Sequence, residues 1–371
     1  MKVLVTGGAG FVGSHLVDAL LAAGHVVRVL DSLEPQVHGT SGQRPSYLDA
    51  EAELQVGDVR DRDALARALT GVEAVFHQAA AVGVGQSMYE IARYVSANSL
   101  GGAVLLEELV ARRDRIRKVV VASSMSLYGE GAYRGAAGEV VHPGLRPEPQ
   151  LAARRFELED ARGNGLEPIP TPESKPLQPT SIYAVTKRDH EEMFLTIGAA
   201  YDIPTVALRY FNIYGTRQSL SNPYTGVVAI FSSRLLNNHR PLVFEDGRQS
   251  RDFVHVSDIV RANLLALERG EADGGVYNVG TGRATSVLEI GELLSRELKF
   301  EGSSEIVGRY RAGDIRHCYA DVGLIERQLG FRAQVSLEEG LPELLAWLRE
   351  QDAEDRVDAA ARELAERGLT R

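Results

Sequence analysis

The chain of 371 residues is 44% hydrophobic and 25% charged, with a formal net charge of −10. These values lie near the globular average and so exclude a disordered or fibrous chain. An acidic chain without a basic block argues against nucleic acid as the main ligand. Cys318 is the single cysteine, which excludes an intrachain disulfide and a thiolate metal cluster. Neither a signal peptide nor a run of ~18 apolar residues occurs, so we expect a cytoplasmic protein without a membrane span.

Short apolar runs alternate with helical periods over the first 130 residues. The strands that this pattern predicts are 2–6, 26–30, 53–56, 74–77 and 118–122, and the helices between them are 12–23, 61–70 and 91–113. The strands are apolar nearly throughout, as parallel strands buried on both faces are. The alternation predicts an α/β fold with a Rossmann-like, doubly wound parallel sheet.

The pattern changes after residue 130. Residues 130–179 are rich in Gly, Pro, Arg and Glu with one weak helical stretch at 151–161, so we expect a partly mobile surface insertion, either a passive loop or a lid. Helix 183–201 and strand 205–208 follow. Beyond residue 214, irregular segments around a helix ending at Asn238 and a loop and strand at 241–254 predict a smaller substrate lobe. The end, 351–371, is an amphipathic helix whose Val357, Leu364 and Leu369 share one face, which favours docking or a dimer edge.

A glycine-rich turn joins the first strand to the first helix. Gly7, Gly10 and Gly13 allow the tight turn, the approach of a pyrophosphate and close helix packing, and the helix N-terminus attracts the anion. Asp31 ends the second strand, where its carboxylate can accept from an adenosine ribose and repel a 2′-phosphate. The cofactor predicted is therefore NAD rather than NADP. Asp58 with Val59, and Ala79-Ala80-Ala81, end the next two strands and fit either this ligand or ordinary packing.

A tyrosine and a lysine share one face at the start of the helix after the insertion. Tyr183 and Lys187 are four residues apart. A free phenol has a pKa near ~10. One ammonium at about 4 Å contributes ~4 kcal/mol at an effective dielectric of about 20, or roughly three pKa units. Lys187 and a positive nicotinamide are therefore expected to lower the pKa of Tyr183 towards neutral pH, so that the residue can act as a base. Ser123-Ser124 ends the fifth strand, where a hydroxyl can share the substrate proton. The alternative is that these serines are ordinary polar residues at the end of a strand without a role in catalysis.

In combination these motifs resemble those of the extended short-chain dehydrogenase/reductase enzymes that modify nucleotide sugars. The matching segments, within about residues 1–345 apart from the insertion, are 6–13, 57–60, 77–80, 123–129, 183–187, 209–215, 251–255 and 311–314. The resemblance implies an NAD-binding Rossmann domain at 1–213, a nucleotide-sugar-binding lobe at 214–350 and a helical tail at 351–371. It also implies a homodimer formed through a four-helix bundle.

The resemblance further implies roles for individual residues. Tyr183 is the base, Lys187 binds the nicotinamide ribose, and Ser124 is the hydroxyl partner. The cofactor-binding set is Gly7, Gly10, Phe11, Val12, Gly13, Asp31, Asp58, Val59, Ala79, Ala80, Ala81, Asn98, Tyr183, Lys187, Phe211 and Ile213. The substrate-binding set is Gln86, Ser124, Ser126, Asn212, Val227, Phe244, Arg251, Arg311 and Asp314. Among these, Asn212, Arg251 and Arg311 hold the diphosphate, Asp314 the nucleoside ribose, and Phe244 the base.

The residues after Ser124 distinguish the reactions of this family. Relatives that dehydrate the sugar carry an Asp-Glu pair there, because eliminating water needs an extra acid and base, whereas this chain has Met125 and Ser126. This favours a 4-epimerase, which oxidises C4 of the sugar to a ketone, lets the sugar ring turn, and returns the hydride to the other face of C4. Segments 83–90, 123–131 and 217–227 are most similar to the dTDP-L-rhamnose 4-epimerase subgroup, which makes dTDP-6-deoxy-L-talose. The alternatives are a UDP-glucose or UDP-glucuronate 4-epimerase, a net-oxidising dehydrogenase and a non-catalytic NAD-binding regulator. No metal-binding motif occurs.

Overall fold

The computed structural model describes residues 1–220, 222, 224, 226–351, 355 and 357–371. Its centre is a parallel sheet of seven strands. In spatial order these are Val276–Val279, Thr205–Tyr210, Lys118–Ser124, Ala74–His77, Lys2–Thr6, Val26–Asp31 and Glu53–Val56. The order reverses between Lys2–Thr6 and Ala74–His77, which creates the crevice where open α/β sheets bind ligands. The Rossmann-like fold predicted from the sequence is confirmed.

Helices cover both faces of this sheet. They are Phe11–Ala22, Arg62–Ala68, Ile91–Tyr94, Gly101–Val110, Ile182–Ala200, Val256–Glu268 and Gly323–Leu329, and a π-helical segment, Val95–Leu100, joins the third to the fourth. Successive strand residues point to opposite faces, so Val3 and Val5 join one buried cluster while Leu4 joins the other. Both faces of the sheet are therefore shielded from water, which explains why the strands are apolar runs in the sequence.

The smaller lobe has its own core. Helices Val227–Leu236, Val287–Glu297 and Leu337–Leu348 pack around buried apolar side chains such as Ile290 and Leu344. The short strands of this half are Asn212–Tyr214, Leu242–Val243, Ser250–Arg251, Phe253–His255, Thr285–Ser286, Glu305–Ile306 and His317–Cys318. Val276–Val279, however, returns to the large sheet and pairs with Thr205–Tyr210. A single boundary at residue 213 is therefore too simple, because the chain crosses between the two halves more than once.

The insertion at 130–179 is folded. Strands Ala132–Arg134, Val140–Val141 and Glu167–Ile169 form a small antiparallel sheet over buried Tyr133 and Leu166. Its helix is Glu148–Ala152, so the stretch predicted at 151–161 starts earlier and is shorter. Proline at position 149 accounts for the early start, since proline suits the first turn of a helix.

The chain ends in helix Val357–Glu366 and a short extended segment that pairs Thr370 with Arg311. The remaining short helices are Pro35–His38 and Val84–Ser87, with 3₁₀ turns at Met125–Tyr128 and Gly270–Ala272. Within the ranges that the structure describes, no helix has the length and apolarity needed to cross a bilayer.

Candidate active site

The main cleft opens at the carboxyl ends of the parallel strands and has a volume of about 690 Å³. It brings together nearly all of the residues predicted for cofactor and substrate. Those lining it are Gly7, Gly10, Phe11, Val12, Gly13, Asp31, Asp58, Val59, Ala79, Ala80, Ala81, Ser124, Ser126, Tyr183, Lys187, Phe211, Asn212, Ile213, Val227, Phe244, Arg251, Arg311 and Asp314. Asn98 and Gln86 are the two predicted residues that do not line it.

The glycine turn is shaped by contacts that a side chain would break. Gly7 has φ +69°, a backbone conformation that favours glycine. A Cβ on Gly13 would lie 2.2 Å from the carbonyl oxygen of Gly7, so the helix can approach the turn only because position 13 has none. A Cβ on Gly10 would meet only that oxygen, at 3.3 Å. The first amides of helix Phe11–Ala22 have no acceptor within the helix, and they face a cleft wall that suits a pyrophosphate.

Asp31 retains capacity to bind a ribose. Its two oxygens accept from the backbone N–H groups of Ala9 (3.0 Å) and Leu33 (2.9 Å), which fix the carboxylate at the cleft wall. A carboxylate offers about four acceptor positions, so two hydrogen bonds leave room for a diol. Together with the turn, this geometry fits NAD.

Asp58 is paired within the chain. Arg60 donates to its two oxygens at 2.9 and 2.6 Å, and this hydrogen bonding lowers the pKa of Asp58. The pair lies at the cleft rim, next to Val59.

Asn98 and Gln86 act behind the cleft surface. Asn98 is fully buried in the π-helical segment, where its amide accepts from Ala81 N (2.7 Å) and donates to Ala81 O and Thr186 Oγ1. It therefore fixes a strand end that lines the cleft rather than lining it. Gln86 is bound by Gln36, Glu90 and Tyr94. The prediction that these two side chains contact ligands has no support in this geometry.

The residues predicted to transfer the proton lie near the start of helix Ile182–Ala200. Ser181 caps the helix by accepting from Ala184 N, and Tyr183 N donates to Ser87 Oγ at 3.0 Å, which orients the first turn. The Ser124 hydroxyl lies beside the Tyr183 phenol, and both residues line the cleft. Ser126 Oγ donates to Ser124 Oγ at 2.9 Å, so the hydroxyls of these three residues lie together at the cleft.

Burial dominates the electrostatics of Tyr183 and Lys187 within the chain itself. It raises the pKa of Tyr183 to about 12, and the neighbouring Ser124 hydroxyl offsets only part of that increase. Lys187 donates to Ala122 O at 2.8 Å, and burial lowers its own pKa to about 8. The sequence analysis predicts a lowered phenol pKa from Lys187 together with a positive nicotinamide, and this stays a prediction for the cofactor-bound protein.

Strand alternation separates the two serines. Ser123 Oγ donates to Glu191 Oε2 at 2.7 Å on the buried side, where Glu191 also binds Arg209. Both serines line the cleft, but the Ser124 hydroxyl accepts from Ser126, a second cleft residue. The two serines are therefore distinguished by their partners, and Ser123 is the one that braces the strand.

Arginine and aromatic residues line the far end of the cleft. The Arg311 guanidinium lies 4.0 Å above the Phe244 ring, and its buried Nε has no hydrogen-bond partner within the described part of the chain. Arg251 donates to the backbone oxygens of Ile315 and Arg316 and to Asp314 Oδ1 (3.3 Å). Arg251 therefore braces the Asp314 loop, whereas Arg311 has an uncommitted donor suited to a diphosphate oxygen.

The insertion supports this end from behind. Arg146 forms a bidentate, buried pair with Glu245 at 2.8 and 2.9 Å and donates to Asp314 O. The fully buried Arg316 binds Glu245 from the other side, at 2.9 Å. No residue of 130–179 lines the cleft. The insertion is thus neither the lid nor the passive loop considered from the sequence, but a buttress for the Glu245 and Asp314 loops.

Sequence reasoning missed part of the cleft lining. Gln36, in the short helix Pro35–His38, and Asn222 and Tyr224, in the segment 217–227, line the cleft but are not among the residues predicted for it. The C-terminal residues Val357, Ala360, Ala361, Leu364 and Leu369 also line the cleft. Three of these five carried a signal, because Val357, Leu364 and Leu369 share a face, but the sequence analysis assigned that face to docking or a dimer edge.

Within the described ranges, no group of three His, Cys, Asp or Glu side chains could hold a metal ion. A family model described as "NAD dependent epimerase/dehydratase family" matches residues 3–147 and 161–280. The chain is 36% identical to the dTDP-L-rhamnose 4-epimerase of Burkholderia thailandensis, over 94% of this chain and 95% of that protein.

Solved structures show the same likeness. UDP-glucose 4-epimerase from Thermotoga maritima, with UDP-glucose, is 33% identical with a TM-score of 0.78, over 94% of this chain and 99% of that one. DesIV, a dTDP-glucose 4,6-dehydratase from Streptomyces venezuelae with NAD and TYD bound, is 30% identical with a TM-score of 0.77, over 95% and 98%. With the glycine turn, Asp31 and the Tyr183 site on one sheet edge, the chain belongs to the NAD-dependent epimerase/dehydratase family of the extended short-chain dehydrogenase/reductase enzymes.

Proposed function

We propose that the protein is a nucleotide-sugar 4-epimerase that interconverts dTDP-L-rhamnose and dTDP-6-deoxy-L-talose. The observation that carries the reaction type is the lining of the cleft beside Ser124. Met125 and Ser126 occupy that wall. Elimination of water would need a carboxyl acid and base at this place.

The acidic residues of the cleft lie elsewhere. Among the described lining residues they are Asp31, Glu34, Asp58 and Asp314. Asp31 ends the second strand, and Glu34 and Asp58 lie just after the second and third strands, at the predicted adenosine end of the cleft. Asp314 is bound to Arg251. A hydride exchange assisted by one proton transfer is the chemistry that remains.

The chain's own residues would handle the proton. The Tyr183 phenolate, beside Ser124, would take the proton of the C4 hydroxyl as the hydride leaves C4. The resulting phenol would return that proton to the C4 oxygen when the hydride comes back to the opposite face. Lys187 would hold the nicotinamide ribose. The bound NAD supplies the hydride acceptor and a positive charge that favours the phenolate.

The sugar proposed rests on similarity and lining together. Segments 83–90, 123–131 and 217–227, which resemble the dTDP-L-rhamnose 4-epimerase subgroup, contribute Gly85, Met125 and Tyr224 to the cleft. The B. thailandensis relative is named for this activity. UDP-glucose is the second candidate, because the T. maritima structure of similar fold holds it.

The test is direct. The purified protein is incubated separately with dTDP-L-rhamnose, UDP-glucose and UDP-glucuronate, and C4 inversion is followed by NMR while absorbance at 340 nm reports NADH. We expect inversion of dTDP-L-rhamnose without NADH accumulation. Inversion of a UDP-sugar instead would replace the substrate, and stoichiometric NADH would make the protein a dehydrogenase. Binding of NAD without turnover of any nucleotide sugar would favour a regulator.

We also propose a cytoplasmic homodimer. Ile91, Val95, Leu100 and Val185 are each at least 39% exposed on two neighbouring helical stretches, an apolar face that a second copy would cover. The buried thiol of Cys318 agrees with a reducing compartment. Light scattering should give the dimer mass for the wild type and the monomer mass for Leu100→Glu; a monomeric wild type would refute the dimer.

A further inference from the structure

The C-terminal tail, residues 357–371, covers one side of the cleft. Its helix Val357–Glu366 directs Val357, Ala360, Ala361 and Leu364 at the cleft, and Leu369 follows beyond the helix. Ala360 and Leu364 are only 8% and 7% exposed. The apolar face of this helix is therefore already used within the same chain.

One end of the tail packs against the short helix Val84–Ser87, which contacts the backbone of Tyr183. The methyl carbons of Leu364 lie 3.5 and 3.6 Å from the position that a Cβ on Gly85 would take, and the Tyr224 ring lies 3.8 Å from the same point. Two residues along, Ser87 Oγ accepts from Tyr183 N. Leu364 thus lies one short helix away from the residue that handles the C4 proton.

The other end of the tail reaches the predicted diphosphate end. Ala312 N donates to Leu369 O at 2.9 Å, while Tyr310 and Arg371 exchange a pair of backbone hydrogen bonds at 2.9 and 3.0 Å. These bonds flank Arg311, whose Nε is uncommitted. The tail consequently follows the length that a nucleotide sugar would occupy, from its reacting ring to its phosphates.

Several polar contacts hold the tail in place. Glu363 accepts from the hydroxyls of Tyr89 (3.1 Å) and Tyr224 (3.2 Å), and Arg234 binds Asp358 at 2.8 Å. Arg367 lies 4.1 Å over the Tyr89 ring. Together with the backbone hydrogen bonds to Tyr310 and Ala312, these contacts fix the tail against the cleft.

We propose that residues 357–371 form the outer wall of the substrate cleft and that Leu364 is a specificity-determining residue which presents an apolar surface to the sugar. The substrate class that this wall favours is a 6-deoxy sugar, because a hydroxyl buried against aliphatic carbon loses its hydrogen bonds. This inference rests on the proposed function for the orientation of the sugar.

The test compares two substitutions on one helix. Leu364→Gln places an amide in the cleft wall, whereas Ala365→Gln places the same side chain on the exposed face of the next position. Calorimetry in the presence of NAD gives the dissociation constants of dTDP-L-rhamnose, dTDP-D-glucose and dTDP. For Leu364→Gln we expect binding of dTDP-L-rhamnose to weaken by about tenfold or more relative to dTDP-D-glucose. The affinity for dTDP should be unchanged, and Ala365→Gln should behave as the wild type.

A truncated chain ending at Gln351 tests the wall as a whole. It should bind dTDP-L-rhamnose at least about tenfold more weakly and still bind NAD, whose predicted residues lie outside the tail. Equal affinity in wild type, truncated chain and Leu364→Gln would overturn the inference. Because the readout is binding, it is separate from the proposed function, which fails when the wild type inverts C4 of no nucleotide sugar.

Discussion

Two glycines of the phosphate-binding turn allow fold and cofactor binding to be separated. In Gly13→Ala the new Cβ would lie 2.2 Å from Gly7 O and 2.7 Å from Gly8 Cα, both backbone atoms that cannot swing aside. The helix start would have to retreat by about 1 Å to reach an ordinary contact, and overpacking of this kind costs about 1–3 kcal/mol. With an unfolding entropy of about 2.1 cal/mol/K per residue, the melting temperature of 371 residues should fall by about 1–4 °C.

Gly10→Ala is the matched control. Gly10 has φ −77° and ψ −177°, a conformation that alanine adopts, and its Cβ would meet only Gly7 O at 3.3 Å. The free energy of unfolding of this variant should therefore lie within about 0.5 kcal/mol of the wild-type value. Its methyl group would instead stand where the pyrophosphate approaches the turn, so the affinity for NAD should fall by about tenfold or more.

Melting curves of the nucleotide-free proteins, followed by calorimetric titration with NAD, measure both effects. Gly13→Ala should lose stability and NAD affinity together, because the helix that withdraws also carries the anion-binding amides. Gly10→Ala should lose NAD affinity alone. An unchanged melting temperature in Gly13→Ala, or wild-type NAD binding in Gly10→Ala, would refute this account of the turn.

Three further outcomes are expected. Burial raises the pKa of Tyr183 to about 12, so the fraction of its basic form, and with it kcat, should increase as pH rises. Tyr183→Phe should lower kcat at least about a hundredfold and abolish that increase, while NAD stays bound. Near-wild-type turnover in this variant would exclude the phenol as the base. Asp31→Ala should reduce the preference for NAD over NADP in parallel titrations, and an unchanged preference would show that another group reads the ribose. Arg146→Met removes the bidentate partner of the buried Glu245 and leaves only Arg316, so unfolding measurements should show a loss of about 3 kcal/mol, the low end for a broken buried pair. Kinetic assays should show a higher KM for the nucleotide sugar. The exposed Arg134→Met should cost about 0–1 kcal/mol, and equal losses in the two variants would contradict the buttress.

The parts of the site that the sequence predicted are those encoded by local pattern. Gly7 to Gly13 and Tyr183 with Lys187 lie within single turns, so spacing alone places them correctly relative to each other. The first five strands are apolar runs that end in polar or small residues, and their carboxyl ends meet in the cleft as parallel pairing requires.

What the sequence did not predict depends on pairings between distant residues. Val276–Val279 joins the sheet only by pairing with Thr205–Tyr210, and no local pattern indicates that return. The buttressing by Arg146 depends on Glu245, 99 residues away. The pKa of Tyr183 depends on how much water the fold removes from around the phenol, which the spacing of Tyr183 and Lys187 does not reveal.

The return of Val276–Val279 to the large sheet has a mechanical consequence. Four residue pairs join it to Thr205–Tyr210, so the chain segment 211–275 is attached to the large sheet at both of its ends. The proposed 4-epimerase would therefore work on a tethered scaffold. It would reach both faces of its keto sugar by rotation of the sugar about the diphosphate linkage rather than by separation of the two halves.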